Sequence, residues 1–374
     1  NSWTNLMSTK KDKFSLKDKF YMEIALKLAN SRQGLTGTNP SVGCVIVKND
    51  KIVSIGQTSY NGRPHAEFNA IENCIDDLNG SKMYVTLEPC CHHGLTPPCT
   101  NIIIKSKISE VIYSVSDIDK RVRNKSLKIL KSNKIKVKKG LLDDKINNFY
   151  SNYFFNRKNQ LPYVTGKIAV SKNNLIYSKL NKKITNRHSD KFTHLLRYKN
   201  DALMVTYKTL NNDNSKLNCR IKGFSNFSPK RIILDNKLQT KINTYVINTA
   251  NKNNTLIFYN QAKKSKILEF KNKKIQLIKS KINQQGKFDI KAILKKLYTH
   301  NCRNLLIEGG DSLTSHLLKN KIFNRFYLYK SPKNIPKETE YLKFNSLDVL
   351  KKNYKNKFNL NLYLGKDKIT LYKN

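Results

Sequence analysis

The runs Pro64-His65-Ala66-Glu67 and Glu88-Pro89-Cys90-Cys91-His92-His93-Gly94-Leu95-Thr96-Pro97-Pro98-Cys99 carry the clearest chemical signal of the chain. One imidazole and two thiols, those of His65, Cys90 and Cys99, can supply three ligands to a metal ion. A catalytic zinc site has three protein ligands and an open fourth position for water, so this set predicts zinc. Glu67 follows the histidine by two residues, where its carboxylate can carry a proton from that water to a leaving amine. We therefore predict a zinc-dependent catalytic centre with Glu67 as its acid and base.

The order of these residues resembles the signature of the zinc deaminases, in which His-x-Glu precedes Pro-Cys and a second cysteine. Both groups of ligands lie at predicted helix N-termini, where the positive end of the helix dipole favours thiolate over thiol. Cys91 is directly next to Cys90, where double ligation of one metal is awkward, so we expect that it is not a ligand. Eight residues separate Cys90 from Cys99, whereas deaminases that act on nucleic acids typically have two. The spacing speaks against that class.

The segment between the cysteines is similar to one in the bifunctional deaminase/reductase family of riboflavin biosynthesis, as is Asn39-Pro40 with Val42-Gly43. The resemblance implies that the substrate is diaminohydroxyphosphoribosylaminopyrimidine, with Asn39 and His92 as its contacts. It also exposes two departures. Leu95 stands where the family has a lysine or arginine near the substrate phosphate, and the loop Asp117–Ser126 lacks the glycines common there. These departures bear on phosphate binding and leave the zinc chemistry untouched.

The second half of the chain contains shorter matches to the same family in the family's order, including Tyr163–Lys167, His194-Leu195-Leu196-Arg197 and Leu306–Gly310. The resemblance implies a dihydrofolate-reductase-like domain that uses NADPH to reduce the ribosyl group to a ribityl chain. It implies substrate contacts at Lys167, Thr185, Asp213, Arg220 and Glu308. It implies cofactor contacts at Ser171, Thr209, Asp235, Gly309 and Gly310.

Two cofactor-side features of the family are altered in this sequence. Thr206 and Lys208 replace two glycines of a loop that lets the backbone approach NADPH, and Asn173-Asn174 stand in another turn. Asparagine can adopt left-handed conformations, so the second turn can still form. The substitutions leave two readings open: a reductase with altered cofactor binding, or a monofunctional deaminase with a decayed reductase domain.

The pattern of apolar residues indicates an α/β fold with two domains. A chain of 374 residues suits two domains. An amphipathic helix is predicted from Lys17 to Ser31, in which Phe20, Ile24 and Leu28 repeat every four residues with Tyr21 and Ala25 beside them. A hairpin and alternating strands and helices follow over residues 15–142 and indicate a layered sheet. We predict a cytidine-deaminase-like α/β/α layer domain over residues 15–145, then a dihydrofolate-reductase-like α/β domain over residues 160–374.

Three further expectations concern the connection and the second domain. Asp143–Gln160 reads as a connecting helix that ends at Leu161-Pro162. Tyr245–Ile247 reads as a strand, and a C-terminal pair of strands is expected to contain Tyr363 and Leu371. The segment Asn236–Gln285 is rich in lysine and asparagine, and it predicts variable loops around short strands.

The net charge and the cysteine content limit the kinds of partner and the compartment that the chain is expected to have. The formal net charge is +45, from 71 basic and 26 acidic residues, which makes a nucleic-acid deaminase or RNA-binding protein the alternative from another class. Only 11 of the basic residues are arginine, the side chain best suited to phosphate and base recognition. We therefore expect a small phosphorylated pyrimidine substrate, no nucleic acid and a possible homo-oligomer. The seven unevenly spaced cysteines and the lack of a signal peptide or membrane-spanning run predict a cytoplasmic protein with no membrane partner.

Overall fold

The computed structural model describes residues 13–178, 183–337 and 340–374. These residues form two compact units, and the division falls between Lys158 and Asn159. The elements of the first unit are α1 Leu16–Arg32, β1 Gly43–Lys48, β2 Lys51–Gln57, α2 Ala66–Glu72, β3 Lys82–Leu87, α3 Cys99–Lys105, β4 Glu110–Val115, α4 Lys125–Ser132, β5 Lys136–Lys139, α5 Asp143–Phe149 and α6 Ser151–Asn159.

The described strands of the first unit form a mixed sheet in the order β2-β1-β3-β4-β5. β1 and β2 form the predicted hairpin, while β3, β4 and β5 run parallel. The glycines of the hairpin show where the helices lie. A Cβ on Gly43 would meet the Ala25 carbonyl of α1 at 1.8 Å, and a Cβ on Gly56 would meet the Ala66 carbonyl of α2 at 2.2 Å. Gly56 pairs with Cys44, and paired residues face the same side of a sheet. Cys44 and its neighbour Gly43 face opposite sides, because successive residues of a strand alternate. The two helices therefore cover opposite faces of the sheet. The predicted layered α/β architecture is confirmed.

Helix α1 begins within one residue of its predicted start. Its buried face includes Tyr21 and Ala25 of the predicted apolar set but not Phe20. Ser15 and Asp18 form a capping box that satisfies the first free backbone N–H groups. Tyr21 and Ala25 are buried, together with Met22, Leu26 and Ala29. Phe20 is 60% exposed. Phe20, predicted on the apolar side of the helix, therefore lies outside the core, because the close approach of Ala25 to Gly43 fixes the rotation of the helix.

The second unit contains the remaining described elements. They are β6 Tyr163–Val170, β7 Leu175–Ser178, α7 Arg187–Tyr198, β8 Ala202–Thr206, α8 Tyr207–Asp213, β9 Lys230–Leu234, α9 Tyr245–Asn248, β10 Thr255–Tyr259, α10 Lys264–Asn272, β11 Gln276–Lys279, α11 Ile290–Thr299, β12 Asn304–Ile307, α12 Asp311–Lys319, β13 Arg325–Lys330, β14 Tyr341–Lys343, α13 Leu347–Asn353, β15 Asn356–Asn359 and β16 Lys368–Lys373.

The main sheet of the second unit has the order β11-β10-β9-β8-β12-β6-β13-β16-β15 within the described residues. The pairs from β11 through β13 are parallel, and β16 and β15 extend the sheet in antiparallel fashion. β7 and β14 pair separately. In a parallel sheet of this kind, ligands bind outside the carboxyl ends of the strands. The ends of β8, β9 and β12 therefore mark the place to look for a site.

Several expectations about single elements are wrong. Tyr245–Ile247 is predicted as a strand, but Tyr245–Asn248 is a short helix. Val246 and Ile247 are buried in the core from this helical turn and, within the described residues, do not pair with a strand of the sheet. Asn236–Gln285 contains helix α10 and strand β11 in addition to loops. Tyr363 lies outside the C-terminal strands and is fully exposed. The expected connecting helix is split into α5 and α6 at Tyr150.

Candidate active sites of the two units

The first unit brings His65, Cys90 and Cys99 together at the carboxyl end of β3. His65 directly precedes α2, Cys99 is the first residue of α3, and Cys90 follows β3 by three residues. The Nδ1 atom of His65 is 3.5 Å from Cys90 Sγ and 3.4 Å from Cys99 Sγ. The three donor atoms all lie within 4.8 Å of one another. One nitrogen and two sulfurs at this separation fit a tetrahedral zinc ion and leave its fourth position open.

The surroundings of this cluster favour a thiolate and a proton carrier. The hydrogen bond from the Cys99 thiol, together with the His65 ring, lowers the pKa of the Cys90 thiol to about 4. The backbone N–H of Cys99 also donates to Cys90 Sγ at 3.3 Å. Burial raises the pKa of Glu67 to about 7. A carboxyl group with a pKa near neutrality suits proton transfer at physiological pH.

A small cleft of about 100 Å³ opens beside these groups, and His65, Glu67 and Cys90 contribute to its wall. The predicted substrate contacts Asn39 and His92 also line it. His92 Nδ1 is buried and has no hydrogen-bond partner among the described residues. An unsatisfied polar atom of this kind is costly unless a ligand or water pairs with it.

Cys91 lies outside the metal-binding cluster found among the described residues, and its Sγ contacts the Arg121 carbonyl oxygen at 3.5 Å. The neighbouring loop Asp117–Ser126 is held by Glu88, which accepts from the backbone N–H groups of Asp117 and Asn124. Asn124 has a φ of 60°, so an asparagine takes the left-handed position that glycine would favour.

The carboxyl ends of β8, β9 and β12 border a larger cleft in the second unit, of about 1310 Å³. Of the residues predicted there, those lining the cleft are Lys167, Thr185, Thr209, Asp213, Glu308, Gly309 and Gly310. Those outside its lining are Arg220, Ser171 and Asp235. The Asp235 carboxylate instead accepts from Gln239 and Thr240 N–H groups and the Thr240 hydroxyl, all within 2.8 Å. Its hydrogen bonds thus stabilise a turn.

Charges of both signs face the second cleft. Arg197 donates from Nε to Glu308 Oε1 at 2.8 Å and from Nη2 to Oε2 at 2.9 Å. Burial alone would raise the pKa of Glu308, but Arg197 and Lys167 lower it to about 2. Burial lowers the pKa of Lys167, whose ammonium lies 4.8 Å from the Tyr329 ring centre. Glu308 is therefore an ionised acceptor at neutral pH.

On the side of the second cleft where the cofactor is expected, the backbone can still turn and approach a ligand although two glycines of the family are replaced. Asn174 has a φ of 63°, so the turn expected at Asn173-Asn174 forms with asparagine in the left-handed conformation. A Cβ on Gly310 would meet no atom within 4 Å, which means that its backbone borders open space. Lys208 is exposed and lines the same cleft. These residues fit a large anionic ligand such as a dinucleotide.

The sequence patterns assigned no role to several residues that line the clefts. They are Arg63, Tyr153, Arg121 and Arg157 in the first unit, and Asp190 and Arg197 in the second. Arg197 ends one of the quoted matching stretches, which is the one signal that pointed to it. Arg63 is two residues before His65, which places it near the site, but its contact with the loop between the cysteines forms only in the folded chain. For Arg157 the sequence offers no signal.

Both halves match family models. The model of the cytidine and deoxycytidylate deaminase zinc-binding region matches residues 15–115, and that of the RibD C-terminal domain matches residues 166–351. Riboflavin biosynthesis protein RibD of Aquifex aeolicus is 33% identical over 84% of this chain and 87% of its own length. The RibD protein of Actinobacillus pleuropneumoniae is 34% identical over 85% of each chain.

A solved structure shows the same two-part architecture. It is the diaminohydroxyphosphoribosylaminopyrimidine deaminase/5-amino-6-(5-phosphoribosylamino)uracil reductase of Thermotoga maritima, with a TM-score of 0.81 and 27% identity. The match covers 96% of this chain and 98% of that one. Fold and sites thus define a zinc-type deaminase joined to an α/β reductase. The chain belongs to the RibD family of bifunctional riboflavin-biosynthesis deaminase/reductases.

Membership in this family confirms the two activities predicted from the sequence, with zinc and NADPH as their cofactors. It favours a bifunctional enzyme over both a nucleic-acid deaminase and a deaminase that carries an inactive second domain. Within residues 13–178, 183–337 and 340–374, no helix is both long and apolar enough to cross a membrane.

Proposed function

We propose that the first unit hydrolyses the ring amine of diaminohydroxyphosphoribosylaminopyrimidine. The observation that carries this proposal is the cluster of His65, Cys90 and Cys99 beside a cleft that is also lined by buried Glu67. These three residues would hold zinc, which when bound supplies the Lewis acidity that makes water a nucleophile at neutral pH. Glu67 takes a proton from the attacking water and returns it to the departing nitrogen, so that a C–O bond forms, a C–N bond breaks and ammonia leaves.

The remaining wall of the first cleft orients the pyrimidine ring. Asn39 is fixed because its Nδ2 donates to the Gly62 carbonyl oxygen at 2.9 Å, which leaves its own carbonyl oxygen available to the substrate. His92 Nδ1, buried and without a partner among the described residues, pairs with a polar group of the ring. Both side chains are then substrate-binding residues.

The deaminase proposal is tested by comparing two adjacent cysteines. Cys90→Ala should lose zinc and ammonia release together, whereas Cys91→Ala should keep both, because Cys91 is outside the cluster. Metal analysis of the purified proteins and an ammonia assay with the pyrimidine substrate measure the two effects. Equal loss in both variants would contradict the assignment of the ligands.

We propose that the second unit reduces the ribosyl group of the deaminated product to a ribityl chain. The substrate is held by Lys167, Thr185, Asp213 and Glu308. Gly309, Gly310, Thr209 and Lys208 face the cofactor. When bound, NADPH supplies the hydride for this reduction. Ionised Glu308 accepts hydrogen bonds from sugar hydroxyls, while Lys167 provides a half-buried cation for the substrate's negative charge.

Consumption of NADPH in the presence of the deaminated intermediate tests the second activity. Lys167→Met should raise the KM of the intermediate without changing the affinity for NADPH, since Lys167 is proposed to contact only the substrate. Arg220, Ser171 and Asp235 lie outside the cleft lining, and their predicted roles remain predictions. A cytoplasmic location and a homo-oligomeric state are likewise our expectations for this enzyme.

A further inference from the structure

Three arginine side chains line the deaminase cleft: Arg63, Arg121 and Arg157. The substrate proposed for this cleft carries a phosphate, and arginine is the side chain best suited to bind a phosphate through two parallel hydrogen bonds. The three differ in how far their charge is already neutralised. That difference decides which of them is available to the ligand.

Arg121 is already neutralised by Asp119. Its Nε donates to Asp119 Oδ1 at 3.0 Å, and its Nη2 donates to Oδ2 at 2.6 Å. This two-point pair occupies the Nε–Nη2 edge of the guanidinium and neutralises much of its charge. Arg121 therefore attracts a further anion less strongly than a guanidinium without a carboxylate partner.

Arg157 is exposed to solvent and lies near two acidic side chains. Its guanidinium lies 5.4 Å from the centre of the Tyr153 ring, and it acts electrostatically on Asp117 and Asp119. Solvent and the nearby carboxylates weaken its attraction for a ligand phosphate.

Arg63 is the guanidinium in this cleft that is both held in place and free of a carboxylate partner among the described residues. It is half-buried, and its Nη1 donates to the Thr96 hydroxyl. Its Nη2 approaches Gly94 closely enough that a Cβ there would lie 3.4 Å away. The side chain is thus fixed against the loop between the two cysteines, and its other N–H groups remain available.

We propose that Arg63 binds the phosphate monoester of the pyrimidine substrate and sets the preference of the deaminase for a phosphorylated ligand. Leu95 is 90% exposed and lies outside the cleft lining. Leu95 stands where the family has a lysine or arginine near the phosphate, and we assign the role of that missing cation to Arg63. The inference rests on the proposed deaminase function and adds the group that recognises the phosphate.

The test compares the phosphorylated pyrimidine with its dephosphorylated form. Arg63→Ala should raise the KM for the phosphorylated substrate by about tenfold or more and leave kcat nearly unchanged, since a charge-assisted pair is lost. The KM for the dephosphorylated form should not change. Arg63→Lys should recover part of the loss. Arg123→Ala is the matched control, because Arg123 is an exposed arginine outside the cleft lining.

Three results with the Arg63→Ala variant would overturn the proposal. They are an unchanged KM in Arg63→Ala, an equal change for both forms of the substrate, and a loss of zinc that accompanies the change in KM. Leu95→Lys alone should leave KM nearly unchanged, and a large decrease would show that Arg63 does not fill this role.

The failure of this inference can be distinguished from the failure of the proposed function. If the wild-type enzyme releases no ammonia from either form, the proposed function is wrong. Calorimetric titration with ribose 5-phosphate then decides the inference separately. Binding that is weaker in Arg63→Ala than in the wild type supports a phosphate site, and identical titrations contradict it.

Discussion

Arg197 and Glu308 form a two-point ion pair that joins helix α7 to the carboxyl end of strand β12, with N–O distances of 2.8 and 2.9 Å. Both side chains are largely buried, at 10% and 14% exposure. The pair faces the reductase cleft together with Lys167. It therefore fixes the carboxylate that we propose as a substrate-binding group, and Lys167 is the cation on the same wall that this pair does not neutralise.

Removing one partner of this pair should be costly for stability. Arg197→Met leaves the Glu308 carboxylate buried without its hydrogen-bonded partner, and we expect the free energy of unfolding to fall by about 3 kcal/mol. Urea-induced unfolding of the full chain measures it. Lys266→Met is the control, because the Lys266–Glu269 pair is more than 40% exposed on both sides and should contribute less than about 1 kcal/mol. Equal effects would contradict the importance of burial. Arg197→Met with Glu308→Gln should recover part of the loss.

The neighbouring His194 should make stability depend on pH. Burial, with Arg197 and Arg220, lowers its pKa to about 4 from the ordinary 6.5. The unfolded chain therefore binds more protons than the folded one between these values, so stability is lost as the pH falls from 6.5 toward 4. Asp201, whose pKa burial raises to about 6, acts in the opposite direction. Comparing His194→Gln with the wild type isolates the histidine, because Asp201 is common to both.

We expect the variant to show a smaller loss of stability than the wild type across that pH range. Chemical denaturation at several pH values between 4 and 7 gives the two slopes. Identical slopes would show that His194 is protonated in the folded protein as readily as in the unfolded chain.

Glu67→Gln should separate metal binding from proton transfer. The amide cannot carry the proton, and we expect ammonia release to fall by about 100-fold or more while zinc content stays at that of the wild type. Glu72→Gln, an exposed change on the same helix, should keep full activity. Loss of zinc in Glu67→Gln, or unimpaired activity, would contradict the role of this carboxylate.

Lys208 should partly replace the backbone contacts that the family's glycines make with NADPH. Its ammonium is exposed at the cleft, where a charge-assisted contact with a cofactor phosphate is worth about 1 kcal/mol. Lys208→Ala should therefore weaken NADPH binding about fivefold in a fluorescence titration. Lys222→Ala, which removes an exposed lysine outside the cleft, is the control. The same dissociation constant for both variants would exclude a contact between Lys208 and the cofactor.

The sequence predicted the parts of the molecule that depend on local order. The zinc cluster follows from His65, Cys90 and Cys99, because each lies at or within three residues of the end of a helix or strand. The contact between Arg63 and Thr96 could not be predicted in this way. The two residues are 33 positions apart, and only the folded loop brings them together.

The errors in secondary structure have a similar cause. Tyr245–Asn248 contains β-branched residues typical of strands, but burial of Val246 and Ile247 is achieved in a helical turn. In Asn236–Gln285, lysines and asparagines conceal an ordinary helix and an edge strand, because one face of each is exposed and accepts polar residues. The lysine and asparagine content of this segment therefore reflects its exposed residues and does not indicate a lack of helices and strands.

The measurement that tests the account most directly supplies the full-length enzyme with diaminohydroxyphosphoribosylaminopyrimidine, with and without NADPH, and identifies the products by mass spectrometry. Without NADPH, we expect ammonia and the deaminated ribosyl compound alone. With NADPH, we expect consumption of the cofactor and a second product heavier by two hydrogens, the ribityl compound. The same single product under both conditions, with NADPH unchanged, would contradict the assignment of a reductase to the second unit.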